Sequence, residues 1–327
     1  MKDVTLGIDI GGTNTVFGIV NKKGTIIFKD SISTNALEPA GNLFERLFEK
    51  FGNSFQHYSK EYRIVGIGMG APNANYYTGA IENPINLNWG YVDAASLIKK
   101  YYDVPFALTN DANAAAIGEM EFGSAKGMKN FVEITLGTGL GSGIIIDGKM
   151  LYGHSGAAGE LGHTNIVRDG RKCGCGRKGC LETYVSATGI KRTVFELLAN
   201  SRDESSLRDI PYNQLTAKQI FDAANLGDKI AISAFKFTGK MLGDALADVV
   251  AILSPEAIVI FGGLAQAGEM LFEPTRKQME NSLLQFYKGK IKLVKSGLEE
   301  GDAAILGASA LIWHELKKTA KNNQNLA

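Results

Sequence analysis

The sequence predicts an α/β protein built from two related domains. Its 327 residues exceed the roughly 100–200 of one ordinary domain. Strand-like apolar runs alternate with helix-forming stretches, the pattern of a layered, partly parallel sheet. A figure of strand, glycine turn and strand also occurs twice, from Val4 through Gly11–Gly12 to Val20 and from Phe131 through Gly137–Gly139–Gly141 to Ile146. Two similar domains facing one cleft would produce that echo.

The first strand is Val4 to Asp9, followed by the Gly11–Gly12–Thr13–Asn14 turn and a second strand, Thr15 to Val20. After the turn Asn21–Gly24, Thr25 to Phe28 is a third strand. Leu43 to Phe51 carries apolar residues at helical spacing, and Arg63 to Met69 is a buried strand delivering Gly70–Asn73 at its end. Asn83 to Trp89 reads as a polar turn, Val92 to Tyr101 as an amphipathic helix and Val104 to Leu108 as the next strand. Ala112 to Glu121 is a strong helix former. In the second half, helices are expected at Val185–Leu198, Thr216–Ala224 and Asp228–Val250, with strands at Ala257–Phe261 and Ile291–Lys295. Ala303 to Leu316 closes as a helix, leaving Lys317 to Ala327 as a fraying polar tail.

Composition narrows the function. The 35 basic residues nearly cancel the 34 acidic ones, so no global field draws the chain to nucleic acid or an anionic membrane. Three cysteines within eight positions argue against a secreted disulfide scaffold. No signal-peptide core opens the chain and no run reaches bilayer length, so a cytoplasmic location is expected.

Three stretches carry chemistry. The turn Asp9-x-Gly11-Gly12-Thr13-Asn14 can offer backbone N–H groups and a hydroxyl to phosphate oxygens, with Asp9 reaching a magnesium shell. Gly137–Thr138–Gly139–Leu140–Gly141 offers a second such loop. Neither matches the Walker or dinucleotide fingerprints, and a pair of tight hairpins is the plain alternative. Thr109–Asn110–Asp111 holds a carboxylate at a strand-to-helix joint. Asp111 there can be a general base, its helix dipole keeping it ionised, or an N-cap worth about 1 kcal/mol. One of Asn110 and Asp111 can cap while the other serves the site. Lastly, His163, Cys173, Cys175 and Cys180 form a Cys3His set, the composition of a closed structural zinc site. Reduced buried thiols or a redox pair are the competing readings. A zinc ion there would pin the loops bearing Glu160 and Glu182.

These stretches together resemble the ROK family (repressor, open reading frame, kinase), and within it the bacterial glucokinases. The resemblance rests on Asp9–Asn14, Thr109–Ala116, Leu136–Gly141, Glu160–His163 and Cys173–Glu182. It implies an actin/hexokinase-like (ribonuclease H-like) fold with a central cleft. Residues 1–110, completed by the C-terminal helix within 302–327, would form a smaller domain, and 111–301 a larger one with the zinc loop and a homodimer interface. The implied activity is ATP-dependent phosphorylation of glucose to glucose 6-phosphate, with Asp111 the base at the sugar 6-hydroxyl. Gly70, Asn83, Asn110, Glu160, His163 and Glu182 would contact sugar, His163 using its other ring nitrogen for zinc. Asp9, Gly11, Gly12, Thr13 and Asn14 would face the transferring phosphate and Mg2+, Thr138 and Gly139 the remaining phosphates, Gly262 and Gly263 the adenosine. Fructose, N-acetylglucosamine or N-acetylmannosamine are alternative substrates, and a non-catalytic sugar-binding protein is the alternative of another class. The family's repressors carry a helix-turn-helix domain ahead of the first motif; only eight residues precede Asp9, so that branch is not expected.

Overall fold

The computed structural model describes residues 1–84 and 86–325. Ile85, inside the turn expected over 83–89, and Leu326 and Ala327, the end of the expected tail, lie outside the described residues. The strands of the first half are β1 (Lys2–Ile10), β2 (Asn14–Asn21), β3 (Ile26–Ser33), β4 (Tyr62–Gly70), β5 (Ala74–Asn75), β6 (Ala80–Glu82), β7 (Tyr91–Asp93) and β8 (Phe106–Thr109). Those of the second are β9 (Phe131–Leu136), β10 (Leu140–Ile146), β11 (Lys149–Met150), β12 (Ala257–Phe261) and β13 (Lys292–Lys295). The helices are α1 (Ala40–Phe55), α2 (Ala94–Lys99), α3 (Asp111–Phe122), α4 (Ala187–Asn200), α5 (Ala217–Asn225), α6 (Lys229–Leu253), α7 (Glu269–Ser282) and α8 (Glu300–Asn325).

The repeated glycine hairpin has its structural counterpart in two five-stranded sheets of one layout, β3-β2-β1-β4-β8 and β11-β10-β9-β12-β13. In the first, β1 runs antiparallel to β2 and parallel to β4, which is parallel to β8. In the second, β12 is parallel to β9 and β13. The hairpins β1–β2 and β9–β10 therefore hold equivalent places.

The chain divides into two units. One comprises residues 1–128, 143–158 and 297–327, the other 129–142 and 159–296. This division falls elsewhere than the boundary expected between 110 and 111, because α3 packs on α8 within the first unit. The backbones meet closely there: a Cβ on Gly118 would stand 3.1 Å from the Cα of Gly307.

In the first unit, one sheet face buries Leu6, Ile8, Phe17 and Ile19 with Leu43, Phe44, Leu47 and Phe51 of α1. Helix α8 lies directly on the strands through missing side chains. A Cβ on Gly7 would come within 2.5 Å of the Ile305 carbonyl, one on Gly66 within 2.7 Å of Ile312, and one on Gly68 would overlap the Ala308 carbonyl. The hydroxyls of Thr5 and Ser309 bond across the same seam at 2.7 Å. The helix continues to Asn325, beyond the Leu316 end expected from the pattern.

Three features were not foreseen. Val92 to Tyr101 is split into β7 and the short α2, because the Asp93 side chain caps α2 by accepting from Ser96 N–H at 2.9 Å. A three-stranded sheet β5-β6-β7 forms from strands of two or three residues, too short for a periodic signal. Helix α7 contains Pro274, normally a helix breaker. Its ring packs on α6 at Gly239, where a Cβ would stand 2.7 Å from the Pro274 side chain. Among the described residues no helix is long and apolar enough to cross a membrane.

Gly68→Ala tests the α8 seat. The added methyl forces α8 off β4, and urea unfolding is expected to show a loss of about 3 kcal/mol, the upper end of ordinary overpacking. An unchanged midpoint would mean that the seam yields freely.

Candidate active site and metal centre

The three parallel strands of the first sheet end at one level, since Asp9 pairs with Gly70 and Gly70 with Thr109. Carboxyl ends of parallel strands are where open α/β sheets take ligands. Beyond β8, Asn110 is the N-cap of α3, its side chain accepting from Ala112 N–H at 2.8 Å and Asn113 N–H at 3.2 Å. The cap falls to Asn110, so Asp111 at the first helical position keeps a functional role open, although it also accepts from Ala112 N–H at 2.8 Å. Asn113 reaches back to the Thr109 hydroxyl at 3.3 Å.

Asp9 and Asp111 flank Gly70. A Cβ there would be 2.9 Å from the Asp9 carboxylate and 3.7 Å from the Asp111 Cα, so the bare position makes room for both. Burial first, then the neighbouring Asp111 charge, pushes the Asp9 carboxyl up to about 7. Asp111 is also raised, by desolvation that outweighs its backbone hydrogen bonds. The shift runs opposite to the lowering expected from the helix dipole, because loss of water around the carboxylate is the larger effect. By surface area Asp111 is exposed and Asp9 half-buried. Access and hydration differ, and for protonation the crowding by protein atoms decides.

The turn after Asp9 is closed by Gly11 N–H on the Asn14 carbonyl at 3.0 Å. The Thr34 hydroxyl bonds the Gly11 carbonyl at 2.7 Å and its N–H the Thr13 carbonyl at 2.9 Å, leaving Thr13 and Asn14 exposed. Asn83 sits at φ 48° with its carbonyl accepting from the Asn73 amide at 3.1 Å.

In the second unit the carboxyl ends of β9 and β12 carry the other glycine turns. Gly137 N–H bonds the Gly139 carbonyl at 3.1 Å, and the turn rests on the start of α4, where Ala187 N–H bonds the Gly137 carbonyl and the Thr188 hydroxyl the Thr138 carbonyl. Gly262, at φ 96°, lies against Leu136, where a Cβ would be 2.6 Å from the carbonyl oxygen, and Gly263 follows in a short 3-10 turn.

The cysteine loop folds as a tight knuckle. Cys173 N–H bonds the Arg177 carbonyl at 2.9 Å and Gly176 N–H the Cys173 carbonyl at 3.1 Å. Gly179, at φ 73°, passes so close to Val167 that any Cβ would overlap its carbonyl oxygen. The ligand atoms of His163, Cys173, Cys175 and Cys180 all lie within 4.8 Å of one another. The Cys175 and Cys180 sulfurs are 3.7 Å apart and Cys173 Sγ is 3.7 Å from His163 Nδ1. Two sulfurs each ~2.3 Å from a tetrahedral zinc stand ~3.8 Å apart, while a disulfide needs ~2.05 Å. The geometry fits a four-coordinate ion and the cysteines are unbridged.

His163 turns Nδ1 to this cluster and Nε2 toward Glu160, 4.0 Å from its carboxylate. Glu182, in a 3-10 turn Leu181–Thr183, accepts from the Cys173 thiol at 2.9 Å. Its other oxygen would be 2.7 Å from a Cβ on Gly139, so the second glycine turn is bare where Glu182 needs space. Burial pushes the Cys173 and Cys180 thiols up, Glu182 adding to the effect at Cys173, whereas a backbone hydrogen bond from Arg177 holds Cys175 down. A bound cation would deprotonate all three. Sequence reasoning gives no role to Arg171, which flanks the cysteine block and sits at the base of the knuckle with its side chain 10% exposed. A lone arginine beside a cysteine motif carries no signal of its own, and its partners Thr183, Gly189, Thr193 and Glu196 emerge only in the fold.

The ROK family model matches residues 5–315. A glucokinase from Halalkalibacterium halodurans is 33% identical, over 98% of each chain. A ROK glucokinase from Streptomyces griseus, solved with glucose and AMPPNP, has a TM-score of 0.78 at 30% identity, covering 94% of this chain and 98% of its own. A ROK transcriptional regulator, a homologue of the E. coli MLC protein, has a TM-score of 0.86 at 28% identity, covering 95% of this chain and 78% of its own. The fold is that of the actin, hexokinase and ribonuclease H-like superfamily.

The raised Asp9 carboxyl makes a stability prediction for the ligand-free protein. Its folded value of about 7 lies above the ordinary 3.8, so the fold binds more protons than the unfolded chain between those limits. Stability is therefore full below about pH 4 and falls as pH rises through 7, by up to about 4 kcal/mol at 1.36 kcal/mol per unit. Asp9→Asn is expected to remove this fall, raising the melting temperature at pH 8 and leaving it unchanged at pH 4. Equal shifts at both pH values would contradict the assignment.

Proposed function

Because the chain belongs to the ROK family, we propose that it is an ATP-dependent sugar kinase transferring the γ-phosphoryl group to the 6-hydroxyl of glucose. The observation that carries this reading is the placement of Asp111: first residue of α3, at the carboxyl end of the parallel strands, with capping delegated to Asn110. Its raised carboxyl brings it toward the working pH of a general base. Asp111 takes the 6-hydroxyl proton as that oxygen bonds to the γ-phosphorus and the bond to ADP breaks.

The other roles follow the chemistry of the groups. Asn110 uses its side-chain oxygen for the cap and keeps amide N–H donors for a sugar oxygen. Glu160, Glu182 and His163 Nε2 serve sugar hydroxyls, with Gly70 and Asn83 as further contacts. Asp9 would hold hydrated Mg2+, a hard cation suited to carboxylate and phosphate oxygens. Gly11 to Asn14 and Thr138–Gly139 offer backbone N–H groups to phosphates, Gly262–Gly263 a flat surface to adenosine. His163, Cys173, Cys175 and Cys180 would hold zinc as a structural staple. Support for glucose comes from the relatives named as glucokinases. A homodimer is proposed on family grounds, to be checked by sedimentation.

Elemental analysis of protein purified without added metal is expected to give near one zinc per chain. Cys175→Ala is expected to lose that zinc together with glucose binding, as the loops of Glu160 and Glu182 relax. Normal glucose affinity in metal-free protein would break the link between staple and site.

Asp111→Asn is expected to keep most glucose affinity by calorimetry and cut turnover by about 10²–10⁴ in a coupled ADP assay. Near wild-type turnover would return Asp111 to a helix-end role. Glucose binding by the wild type with no ADP formed from any common hexose would favour a sugar-binding regulator, the reading that the regulator-like fold supports. Faster turnover on fructose, N-acetylglucosamine or N-acetylmannosamine would keep the mechanism and change the substrate.

A further inference from the structure

We propose that Arg171 is the positioning residue for Glu182, holding the 3-10 turn that presents this carboxylate while anchoring the metal knuckle to α4. The inference rests on reading Glu182 as a sugar ligand.

All five guanidinium N–H donors of Arg171 find acceptors. Nε and Nη2 form a fork on the Glu196 carboxylate at 2.8 and 2.5 Å. Nη2 also donates to the Thr193 hydroxyl at 3.0 Å. Nη1 donates to the Thr183 carbonyl at 2.7 Å and to the Gly189 carbonyl at 3.2 Å. The guanidinium plane covers the Tyr184 ring, 4.5 Å from its centroid. The backbone of the same residue joins in. Arg171 N–H donates to the Tyr184 hydroxyl at 2.9 Å, and its carbonyl accepts from Gly179 N–H at 2.8 Å.

The bond to the Thr183 carbonyl and the contacts with Tyr184 fix the two residues that follow Glu182, while the bonds to Gly189, Thr193 and Glu196 hold α4. The Glu182 carbonyl is tied separately, by the Ser186 hydroxyl at 2.7 Å. Glu182 has therefore little backbone freedom, and its side chain starts from a fixed point. The Gly179 bond ties the same arginine to the knuckle between Cys175 and Cys180. A lysine offers three donors on a flexible stem and neither forks a carboxylate nor lies flat on a ring. Arg171 also touches no group proposed to meet the reacting atoms, so its effect on catalysis passes through the elements it holds, among them the turn of Glu182, which its side chain bonds directly.

Arg171→Lys and Glu182→Gln, made singly and together, test this through hexose KM, kcat and zinc content. Arg171→Lys is expected to raise KM about tenfold, the scale of losing a hydrogen bond to a charged group, with kcat within about threefold of wild type. Zinc is expected to stay bound, since all four ligands remain. The double variant is expected to be no worse than Glu182→Gln alone, because both changes act on one contact. A purely structural arginine would reduce the folded fraction, lowering apparent kcat at constant KM. That outcome, or effects that multiply in the double variant, overturns the proposal. Should Arg171→Lys not fold, Glu196→Gln loosens the same guanidinium from its exposed side and is judged by the same KM criterion. Wild-type KM in Glu182→Gln would instead remove Glu182 from the sugar site. The functional reading then fails in a variant where Arg171 is untouched, and the inference falls with it.

Discussion

Two carboxylates flanking one bare glycine, each crowded by protein atoms, are the constraint around which the first unit is arranged. Asp9 and Asp111 repel, and each loses hydration, so the fold gives up stability to keep them where they are. The parallel register of β1, β4 and β8 sets their level, and Gly70 leaves the space between them empty of side chain. The register is in turn clamped from behind by α8, lying on Gly7, Gly66 and Gly68 with no side chain between helix and strands.

The second unit meets a different problem, a polar loop without a core of its own. Its knuckle has few apolar residues and depends on left-handed glycines, a Cys3His set and one arginine. A metal ion bound by that set would supply directional bonds where hydrophobic burial cannot. Arg171 supplies a second anchor of another kind, a planar fork plus ring stacking, at the base rather than the tip. With a metal bound, tip and base would be fixed independently, which would suit a loop followed directly by Glu182.

How much of this was legible in the sequence depends on how local the cause is. The glycine hairpins, the cap at Asn110 and the Cys3His set arise within a few residues, and their residue types announce them. The repeated hairpin pointed to two similar units, and the two large sheets share one layout. By contrast, α7 was hidden because Pro274 is accommodated by a glycine in another helix, 35 residues away at Gly239. The unit boundary was misplaced because a strand-to-helix joint looks like a domain edge until α8 is seen to pack on α3. The direction of the Asp111 shift was not legible for a related reason: the helix dipole can be read from sequence, but desolvation depends on neighbours from elsewhere in the chain.

That last point bears on the choice between a kinase and a protein that only binds sugar. Binding a neutral hexose calls for hydrogen-bonding groups such as Asn110, Glu160, His163 and Glu182. It gains nothing from a second acid beside the first, whose ionisation costs stability increasingly as pH rises through about 7. Phosphoryl transfer does gain from the pair. In that reading one carboxylate would accept the hydroxyl proton, while the other would offer an anionic site that a divalent cation would neutralise, recovering the folding free energy lost to its burial. The regulator-like members of the fold show that the scaffold alone does not decide the matter. The destabilising acid pair is the feature that weighs toward chemistry, because a site kept at a cost to stability is expected where the perturbed groups have work to perform.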